Sequence, residues 1–269
     1  MKDSETVGLI GGGQMGEALV RGMINSGLLQ AGRIMVAEPD GTRRDFLSST
    51  YGIKVTDAAE ELCKFSSILI LAIKPQIMQP VLTQYKPFVG SEHLVISIAA
   101  GVPLAAIEEG IGRHRIIRVM PNTPALVLAG ASALSPNSQA GEEDLGLAME
   151  IFSAIGTCVH VPESLLDAVT GLSGSGPGYV FTFIEAMIDG GVLAGIPRPV
   201  AEQLVLQTVY GSAKLALETG KPPAVLKAMV TSPGGTTIAG IHALEEAGLR
   251  GTVMSAVDRA SRRSKELGA

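Results

Sequence analysis

Residues 7–19 read VGLIGGGQMGEAL, and this stretch predicts the fold of the first half of the chain. The apolar run VGLI is typical of a strand buried on both faces of a parallel sheet, and an amphipathic helix pattern begins at Gln14. Gly11, Gly13 and Gly16 follow the strand in GxGxxG spacing. In this context the first glycine permits a tight turn, the second lets the backbone approach a pyrophosphate, and the third allows close helix packing. We therefore predict a dinucleotide cofactor at this turn; the alternative is a glycine-rich turn with only a structural role.

Short apolar runs recur after this stretch, at spacings that leave room for a helix between them. They lie at residues 34–37, 67–73 and 94–98, with further strand candidates at 116–120, 131–135 and 158–161. Strands that alternate with helices indicate right-handed parallel crossovers. We therefore predict an α/β fold whose N-terminal domain, residues 1–162, is a Rossmann-type, doubly wound parallel sheet.

After Pro162 the pattern changes to long helical stretches rich in alanine and leucine. The clearest are at residues 178–194, 199–218 and 251–267. Several are apolar around much of their circumference, which a domain of roughly a hundred residues cannot cover alone. We therefore predict that residues 163–269 form an all-helical domain that is partly buried in a subunit interface.

Composition limits the partners of the chain. It carries a net charge of -5, and no basic run accompanies its few aromatic residues, so we expect small-molecule partners, without nucleic acid or an anionic membrane surface. Cys63 and Cys158 lack CxxC spacing and nearby histidine pairs, which predicts two buried thiols and no metal site. The N-terminal apolar run is too short for a signal peptide or a membrane span. We expect a cytoplasmic protein.

Two features after the second strand bear on the choice of cofactor. Glu38 ends that strand, at the distance typical of an acid that hydrogen-bonds the adenosine ribose of NAD. Arg43 and Arg44 follow, and they could either reach the 2′-phosphate of NADP or lie in solvent on a helix face. The residues alone leave NADH and NADPH both open.

The second half lacks an obvious proton donor for a carbonyl or alcohol substrate. The stretch GLSGSGPGYVFTFIE (171–185) resembles the GxxGxGxxxK segment of 3-hydroxyacid dehydrogenases, but Val180 stands where their catalytic lysine would be. The four histidines, His93, His114, His160 and His242, are more typical of surface or packing positions than of catalysis. A substrate that is already an iminium ion needs no such donor, because its carbon accepts hydride directly. This favours imine reduction.

Residues 232–237, SPGGTT, form a polar loop without a basic residue, followed by a helical pattern. Amides at a helix N-terminus can bind a carboxylate without a cation. Gly234 and Gly235 expose amides, and Thr236 and Thr237 add hydroxyl donors. The alternative is an ordinary helix cap.

Five segments together resemble the pyrroline-5-carboxylate reductase family. They are IGGGQMG (10–16), AIKPQ (72–76), MPNTP (120–124), DAVTGLSGSGPGYVF (167–181) and VTSPGGTTIAGIHALE (230–245). The first is shared with many nucleotide-binding proteins, whereas the last two are specific to this family. The resemblance implies reduction of 1-pyrroline-5-carboxylate to L-proline with NADPH or NADH, by a homodimer joined through the helical domain and often assembled into a pentamer of dimers.

The resemblance also implies roles for individual residues. The cofactor would be bound by Ile10, Gly11, Gly12, Gly13, Gln14, Met15, Glu38, Ala72, Ile73, Lys74, Pro75, Ala99, Ala100, Gly101 and Asn122, the last near the nicotinamide. Substrate would be bound by Glu163, Gly234, Gly235, Thr236 and Thr237. The hydroxyl of Thr237 would lie beside the ring nitrogen and assist proton transfer.

Three positions depart from the family pattern. Glu38 replaces a small polar residue, Ala59 stands where asparagine is common, and Met229 replaces a polar residue beside the cofactor. Glu38 would repel a 2′-phosphate dianion, so we expect appreciable use of NADH.

Two alternatives remain at this stage. One is a 3-hydroxyacid-type dehydrogenase of similar architecture, which Val180 disfavours. The other is a non-catalytic NAD(P)H-sensing dimer, which would have no need of the SPGGTT loop.

Overall fold

The structure is a computed structural model that describes residues 5–268. The chain divides into two compact units. The first comprises Met1–Ser175 with Asp258–Ala269, and the second comprises Gly176–Val257. The division of the sequence at residue 162 stays a prediction, since compactness alone does not locate the boundary of a functional domain.

An eight-stranded sheet forms the centre of the first unit. The strands are β1 (Val7–Ile10), β2 (Ile34–Ala37), β3 (Lys54–Thr56), β4 (Ile68–Leu71), β5 (Leu94–Ser97), β6 (Arg115–Met120), β7 (Gly130–Pro136) and β8 (Gly156–His160). Their spatial order is β3-β2-β1-β4-β5-β6-β7-β8. The first six strands have the 3-2-1-4-5-6 order of a dinucleotide-binding sheet. In this order, the strands that follow one another in the chain are added on one side of β1 up to β3 and on its other side from β4 onward. The predicted α/β, doubly wound fold is confirmed.

Three strands differ from the sequence-based prediction. Strand β7 runs antiparallel to β6, because only residues 121–129 connect them and a connection this short contains no crossover helix. Strand β8 pairs parallel with β7, so it too runs opposite to the first six strands. Strand β3 was not predicted, since its three residues, KVT, form no apolar run: Lys54 is exposed, Val55 is partly exposed and only Thr56 is buried.

Helices cover both faces of the sheet. In the first unit they are α1 (Gln14–Asn25), α2 (Gly41–Tyr51), α3 (Ala59–Phe65), α4 (Met78–Tyr85), α5 (Leu104–Ile111), α6 (Glu142–Ser153) and α7 (Leu166–Val169). Alternate residues along each central strand face opposite sides: Leu9 packs with Leu19 and Phe152 on one face, and Ile10 packs with Leu62 on the other. Burial on both faces explains the uninterrupted apolar runs in the strands.

Two positions where β1 leads into α1 require glycine. Gly11 has φ of +103°, in the region that disfavours side chains. A Cβ on Gly16 would lie 2.5 Å from the carbonyl oxygen of Gly11. The third glycine of the sequence pattern therefore allows the close packing predicted for it.

Helix α2 begins and ends with well-formed caps. The Asp40 carboxylate accepts hydrogen bonds from the amides of Thr42 (2.9 Å) and Arg43 (3.4 Å). Gly52 ends the helix with a left-handed φ of +67°. These caps place Arg43 and Arg44, in the first turn of α2, beside the β1–α1 turn and the end of β2.

Arg118 of β6 is a buried cation, 6% exposed. Its guanidinium donates to Oε1 of Glu163 (3.2 Å) and lies 4.0 Å from Asp167 of α7. Glu163 also accepts the amide of Leu104 at the start of α5 (2.7 Å), and Asp167 accepts the hydroxyl of Ser264 (2.6 Å). This network joins β6, α5, α7 and the C-terminal residues within the first unit.

The second unit is helical, as predicted for this part of the chain. Its helices are α8 (Gly176–Leu193), α9 (Arg198–Thr219), α10 (Pro223–Met229) and α11 (Thr236–Glu246), and α12 (Leu249–Gly268) begins in it. Many large apolar side chains are exposed, including Leu193 (91%), Leu217 (84%) and Phe181 (63%). Within residues 5–268, no helix has the length and apolar character needed to cross a membrane.

Replacing Asp40 with alanine removes the side-chain cap of α2. We expect the free energy of unfolding to fall by about 1 kcal/mol, measured as a lower midpoint of urea unfolding. Asp45→Ala, at an exposed position inside the same helix, is the control and should have a smaller effect. Equal losses in the two variants would contradict a capping role for Asp40.

Glu163→Gln removes the charge opposite Arg118. Because Glu163 is partly exposed and Asp167 remains near the guanidinium, we expect a loss of about 2 kcal/mol in unfolding free energy, below that of a fully buried pair. The control is Asp189→Asn in the exposed Arg198–Asp189 pair, which should cost less than about 1 kcal/mol. Urea unfolding of both variants measures the difference, and comparable losses would show that burial of Arg118 is energetically unimportant.

Candidate functional site

A cavity of about 340 Å³ opens at the carboxyl ends of β1, β2 and β4. This is the edge where the strand order reverses, the usual ligand position in such sheets. Predicted cofactor residues that line it are Ile10, Gly11, Gly13, Glu38, Ala72, Ile73 and Lys74. A Cβ placed on Gly13 would have no atom within 4 Å, so the backbone of the second glycine faces open space. The turn therefore has the clearance that a pyrophosphate needs.

Four other predicted cofactor residues do not line this cavity, although they lie close in sequence to residues that do: Gly12, Gln14, Met15 and Pro75. Gln14 and Met15 form the first turn of α1, and Pro75 begins a short 3-10 turn. The first amides of a helix have no intrahelical acceptor, and no side chain caps α1. These amides are the donors that an anion at this turn would use.

Glu38 is held at the end of β2 by two backbone amides. Its Oε2 accepts from Gly12 (2.8 Å) and its Oε1 from Asp40 (3.1 Å). A carboxylate has about four lone-pair sites, so both oxygens can still accept hydroxyl groups. The residue lines the cavity together with Asp57, which makes this end of the cavity acidic.

Neither Arg43 nor Arg44 lines the cavity. Arg43 donates from Nε to the carbonyl oxygen of Gly12 (2.6 Å) and pairs with Glu17. Arg44 donates to the carbonyl oxygens of Glu38 (2.6 Å) and Pro39 (2.9 Å), and it pairs with Asp57. Both guanidinium groups are thus bound to the protein itself.

Several lining residues were not predicted from the sequence. They are Ala37, Pro39, Asp57, Ile77, Val81, Gln84 and Tyr85. Asp57 follows β3, so recognising that strand would have placed it at this edge. Burial raises the pKa of Tyr85 to about 12, and this hydroxyl stays protonated at neutral pH. The lining residues from α4 could not have been predicted, because their only sequence signal is helical periodicity.

Ala99–Gly101 and Asn122 follow β5 and β6 at the same edge of the sheet but do not line the cavity. The Asn122 side chain is bonded at both ends: Oδ1 accepts from Ala131 (2.8 Å), and Nδ2 donates to the carbonyl of Ser173 (3.0 Å). Ser173 lies in a π-helical turn, Thr170–Gly174. Gly101 has φ of +74° and packs near Leu267.

Glu163 lies at a different cavity, of about 410 Å³, whose polar lining includes Glu108, Asn137 and His160. The structure therefore does not bring Glu163 to the cavity of the glycine-rich turn. Its carboxylate is engaged by Leu104 and Arg118.

The SPGGTT loop lies in the second unit, immediately before α11. Gly234 has φ of +66°, and a Cβ on Gly235 would lie 2.3 Å from the hydroxyl oxygen of Ser232, so both positions suit glycine. No side chain caps α11, and its first amides lack intrahelical acceptors. Thr236 is exposed and Thr237 is partly exposed. The loop thus presents amide and hydroxyl donors without a cation.

The histidines and cysteines have other surroundings. His93 is buried, accepts the amide of Gly90 (2.8 Å) and contacts the carbonyl of Cys63 (3.0 Å). Burial raises the pKa of Cys63 to about 11, so this thiol is unreactive at neutral pH. Cys158 is partly exposed, because it lies on β8, the edge strand of the sheet. The prediction that this thiol is buried is wrong. Residues 5–268 contain no cluster of three or more metal-ligating side chains.

Two family models match the chain. Residues 163–267 match "Pyrroline-5-carboxylate reductase dimerisation", and residues 6–101 match "NADP oxidoreductase coenzyme F420-dependent". The second match agrees with use of a nicotinamide dinucleotide, and the first indicates an oligomeric protein.

Full-length relatives give the same result. The pyrroline-5-carboxylate reductase of Methanosarcina acetivorans is 52% identical, over 99% of both chains. A solved pyrroline-5-carboxylate reductase structure from Coxiella burnetii superposes with a TM-score of 0.95 at 36% identity, covering 99% of this chain and 100% of that one. The Plasmodium falciparum enzyme, solved with NADP bound, has a TM-score of 0.89 at 34% identity and covers 100% of both chains. The predicted resemblance is confirmed, and the chain belongs to the pyrroline-5-carboxylate reductase family.

Proposed function

We propose that the protein reduces 1-pyrroline-5-carboxylate to L-proline with NADPH or NADH, the last step of proline synthesis. The observation that carries this proposal is identity above 50% over the whole length of a reductase of that name. The cavity at the glycine-rich turn supports it with a site of the right kind for the cofactor. The bound nicotinamide would supply the hydride.

Such a substrate does not require an acid that protonates an oxygen. Val180 lies on α8 where a hydroxyacid dehydrogenase would have its lysine, and it is 46% exposed. A protonated C=N group is already electrophilic, so no side chain has to protonate an oxygen. The valine disfavours the 3-hydroxyacid reaction and is compatible with imine reduction.

In the proposed site the SPGGTT loop binds the substrate carboxylate. The amides at the start of α11 and the hydroxyl of Thr236 donate hydrogen bonds to it, and the helix N-terminus favours its negative charge. Gly234 and Gly235 leave the backbone accessible. Thr237, on the same turn, assists proton transfer at the ring nitrogen. For the first unit, the family pattern implies that Asn122 lies near the nicotinamide and that Glu163 contacts substrate.

Absorbance at the reduced nicotinamide band tests the activity directly. Adding 1-pyrroline-5-carboxylate to the protein with NADH or NADPH should cause oxidation of the cofactor and formation of proline. Binding of both cofactors without oxidation would instead support the sensing alternative, and oxidation driven by a 3-hydroxyacid in the reverse direction would support the dehydrogenase alternative.

Replacing Thr237 with alanine separates a chemical role from an orienting one. We expect kcat and kcat/KM to fall together by about a hundredfold, because a group that acts in proton transfer contributes mainly in the transition state. Thr237→Ser keeps the hydroxyl and should retain most of the activity. A rise in KM for the imine with kcat unchanged would mean that Thr237 contributes only ground-state binding.

We propose appreciable use of NADH, because the Glu38 carboxylate lines the adenosine end of the cavity, while Arg43 is bonded to Gly12 and Arg44 is bonded to the carbonyl of Glu38 and paired with Asp57. A dianionic 2′-phosphate beside the Glu38 carboxylate is repelled, whereas ribose hydroxyls can donate to Glu38. Ala59 and Met229 add no donor: Ala59 is buried at the start of α3, and Met229 is an apolar side chain, 64% exposed, on α10.

The ratio of kcat/KM for NADPH and NADH measures this preference. Glu38→Ser should shift the ratio toward NADPH by about tenfold, since one repelling charge is removed. Glu60→Ser, on the exposed side of α3, is the control and should leave the ratio unchanged. A preference of the native protein for NADPH above about a hundredfold, or 2.7 kcal/mol, would contradict the proposed role of Glu38.

The exposed apolar faces of the second unit support a homodimer joined through residues 163–269, the extent proposed for the helical domain. Faces of this kind are rarely left in water by a soluble protein. A pentamer of dimers and a cytoplasmic location are further proposals, the latter supported by two free cysteines. The mass of the assembly, measured by light scattering, distinguishes a dimer from a decamer.

A further inference from the structure

The peptide groups of Gly12 are held on both sides by side chains. Its amide donates to Glu38 (2.8 Å), and its carbonyl oxygen accepts from Nε of Arg43 (2.6 Å). Glycine is otherwise free to sample many backbone conformations. The two bonds therefore select one orientation of the glycine-rich turn before any ligand arrives.

The bond to Arg43 also orients the next amide. In a planar trans peptide, the C=O of Gly12 and the N–H of Gly13 point in opposite directions. Because the carbonyl points toward Arg43, the amide of Gly13 points away from it. Gly13 lines the cavity, and its backbone has open space beside it.

Arg43 has a second partner, Glu17, in the first turn of α1. Burial raises the pKa of Glu17, but hydrogen bonds from Tyr51 (2.6 Å) and Arg43 outweigh it, and the pKa lies below its usual value of 4.5. Glu17 is therefore ionised at neutral pH. An unpaired carboxylate in this turn would repel an incoming pyrophosphate, and Arg43 neutralises it.

Aromatic contacts hold the guanidinium in place. The Arg43 guanidinium carbon lies 5.0 Å from the centre of the Phe46 ring. That ring in turn meets Tyr51 edge to face, with centres 6.5 Å apart. Arg43 is thus part of a cluster that includes Glu17, Phe46 and Tyr51, and its charge is directed toward α1.

We propose that Arg43 is a positioning residue for the cofactor: it orients the Gly12–Gly13 peptide and neutralises Glu17, and it is not a ligand of the 2′-phosphate. The inference rests on the proposed cofactor site at the glycine-rich turn. Because the pyrophosphate is common to both cofactors, Arg43 contributes equally to the binding of NADH and NADPH. A 2′-phosphate ligand would contribute to NADPH alone.

Titration of cofactor fluorescence in the absence of substrate tests this with Arg43→Met. We expect the Kd values for NADH and NADPH to rise by a similar factor of about ten, the size typical of one charge-assisted hydrogen bond near a helix N-terminus. At saturating cofactor, kcat should change little. A rise confined to NADPH would make Arg43 a 2′-phosphate ligand, and unchanged Kd values for both would remove it from cofactor binding; either result overturns the proposal.

A second variant separates neutralisation from general structural support. In the Arg43→Met background, Glu17→Gln removes the unpaired carboxylate and should recover part of the lost affinity for both cofactors. If removing the Arg43 side chain merely loosened the fold, this second change would give no recovery. Such a result would contradict the neutralising role.

Two controls accompany these measurements. Arg115→Met disrupts another arginine–carboxylate pair of the same unit, with Asp144 (2.7 Å), at the opposite end of the strands, and should leave both Kd values unchanged. Thermal unfolding shows whether Arg43→Met folds, and if it does not, Arg43→Lys replaces it. The lysine keeps a positive charge near Glu17 but lacks the fixed Nε donor. A Kd equal to that of the native protein would then overturn the orienting role.

Failure of the native protein to bind either cofactor would refute the cofactor site itself rather than this inference.

Discussion

The close approach of α1 to the end of β1 is the constraint on which the cofactor half of the protein depends. The carbonyl oxygen of Gly11 lies where a side chain at Gly16 would be, so only glycine permits the contact. The approach brings the N-terminus of α1, with its unbonded amides, to the carboxyl edge of the sheet. The cavity forms at that edge because the strand order reverses between β1 and β4. A bulkier residue at either glycine would move the helix and with it the donors.

Charged side chains around this turn bind the Gly12 amide and carbonyl and the carbonyls at the end of β2. Glu38 binds the amide of Gly12, Arg43 binds its carbonyl, and Arg44 binds the carbonyls at the end of β2. The two arginines that follow the second strand are therefore structural in their contacts. Glu38 and Asp57 are the acidic residues that β2 and β3 bring to the cavity, and Asp57 is paired there with Arg44.

In the second unit, the start of α11 is the proposed binding site for the substrate carboxylate, and the SPGGTT loop contains no cation. The start of α11 offers amides, two glycines and two threonine hydroxyls. The proposed substrate, an iminium carboxylate, carries charges of both signs, so its binding would not require a lysine or arginine here. The exposed apolar side chains of the same unit agree with the dimerisation family that residues 163–267 match.

Much of this could be read from the sequence by itself. Apolar runs and glycine spacing predicted the doubly wound sheet, the glycine-rich turn after β1 and the helical second half, because these signals are local and repeat with the period of the backbone. Family-specific segments predicted the activity. Strand β3 was not predicted because its three residues form no apolar run with a recognisable period. Asp57, which follows β3, was missed for the same reason.

Only the tertiary structure decided which polar groups meet. Arg43 could have faced solvent, a phosphate or Glu17, and its partners came from α1 and the turn before it, 26 and 31 residues away. Asn122 and Glu163 likewise bind groups 51 and 59 residues distant. Hydrogen bonds depend on distances of a few tenths of an ångström between elements that are remote in the chain. Residue type and spacing do not determine those distances. The distances are set only when the sheet and its helices pack together.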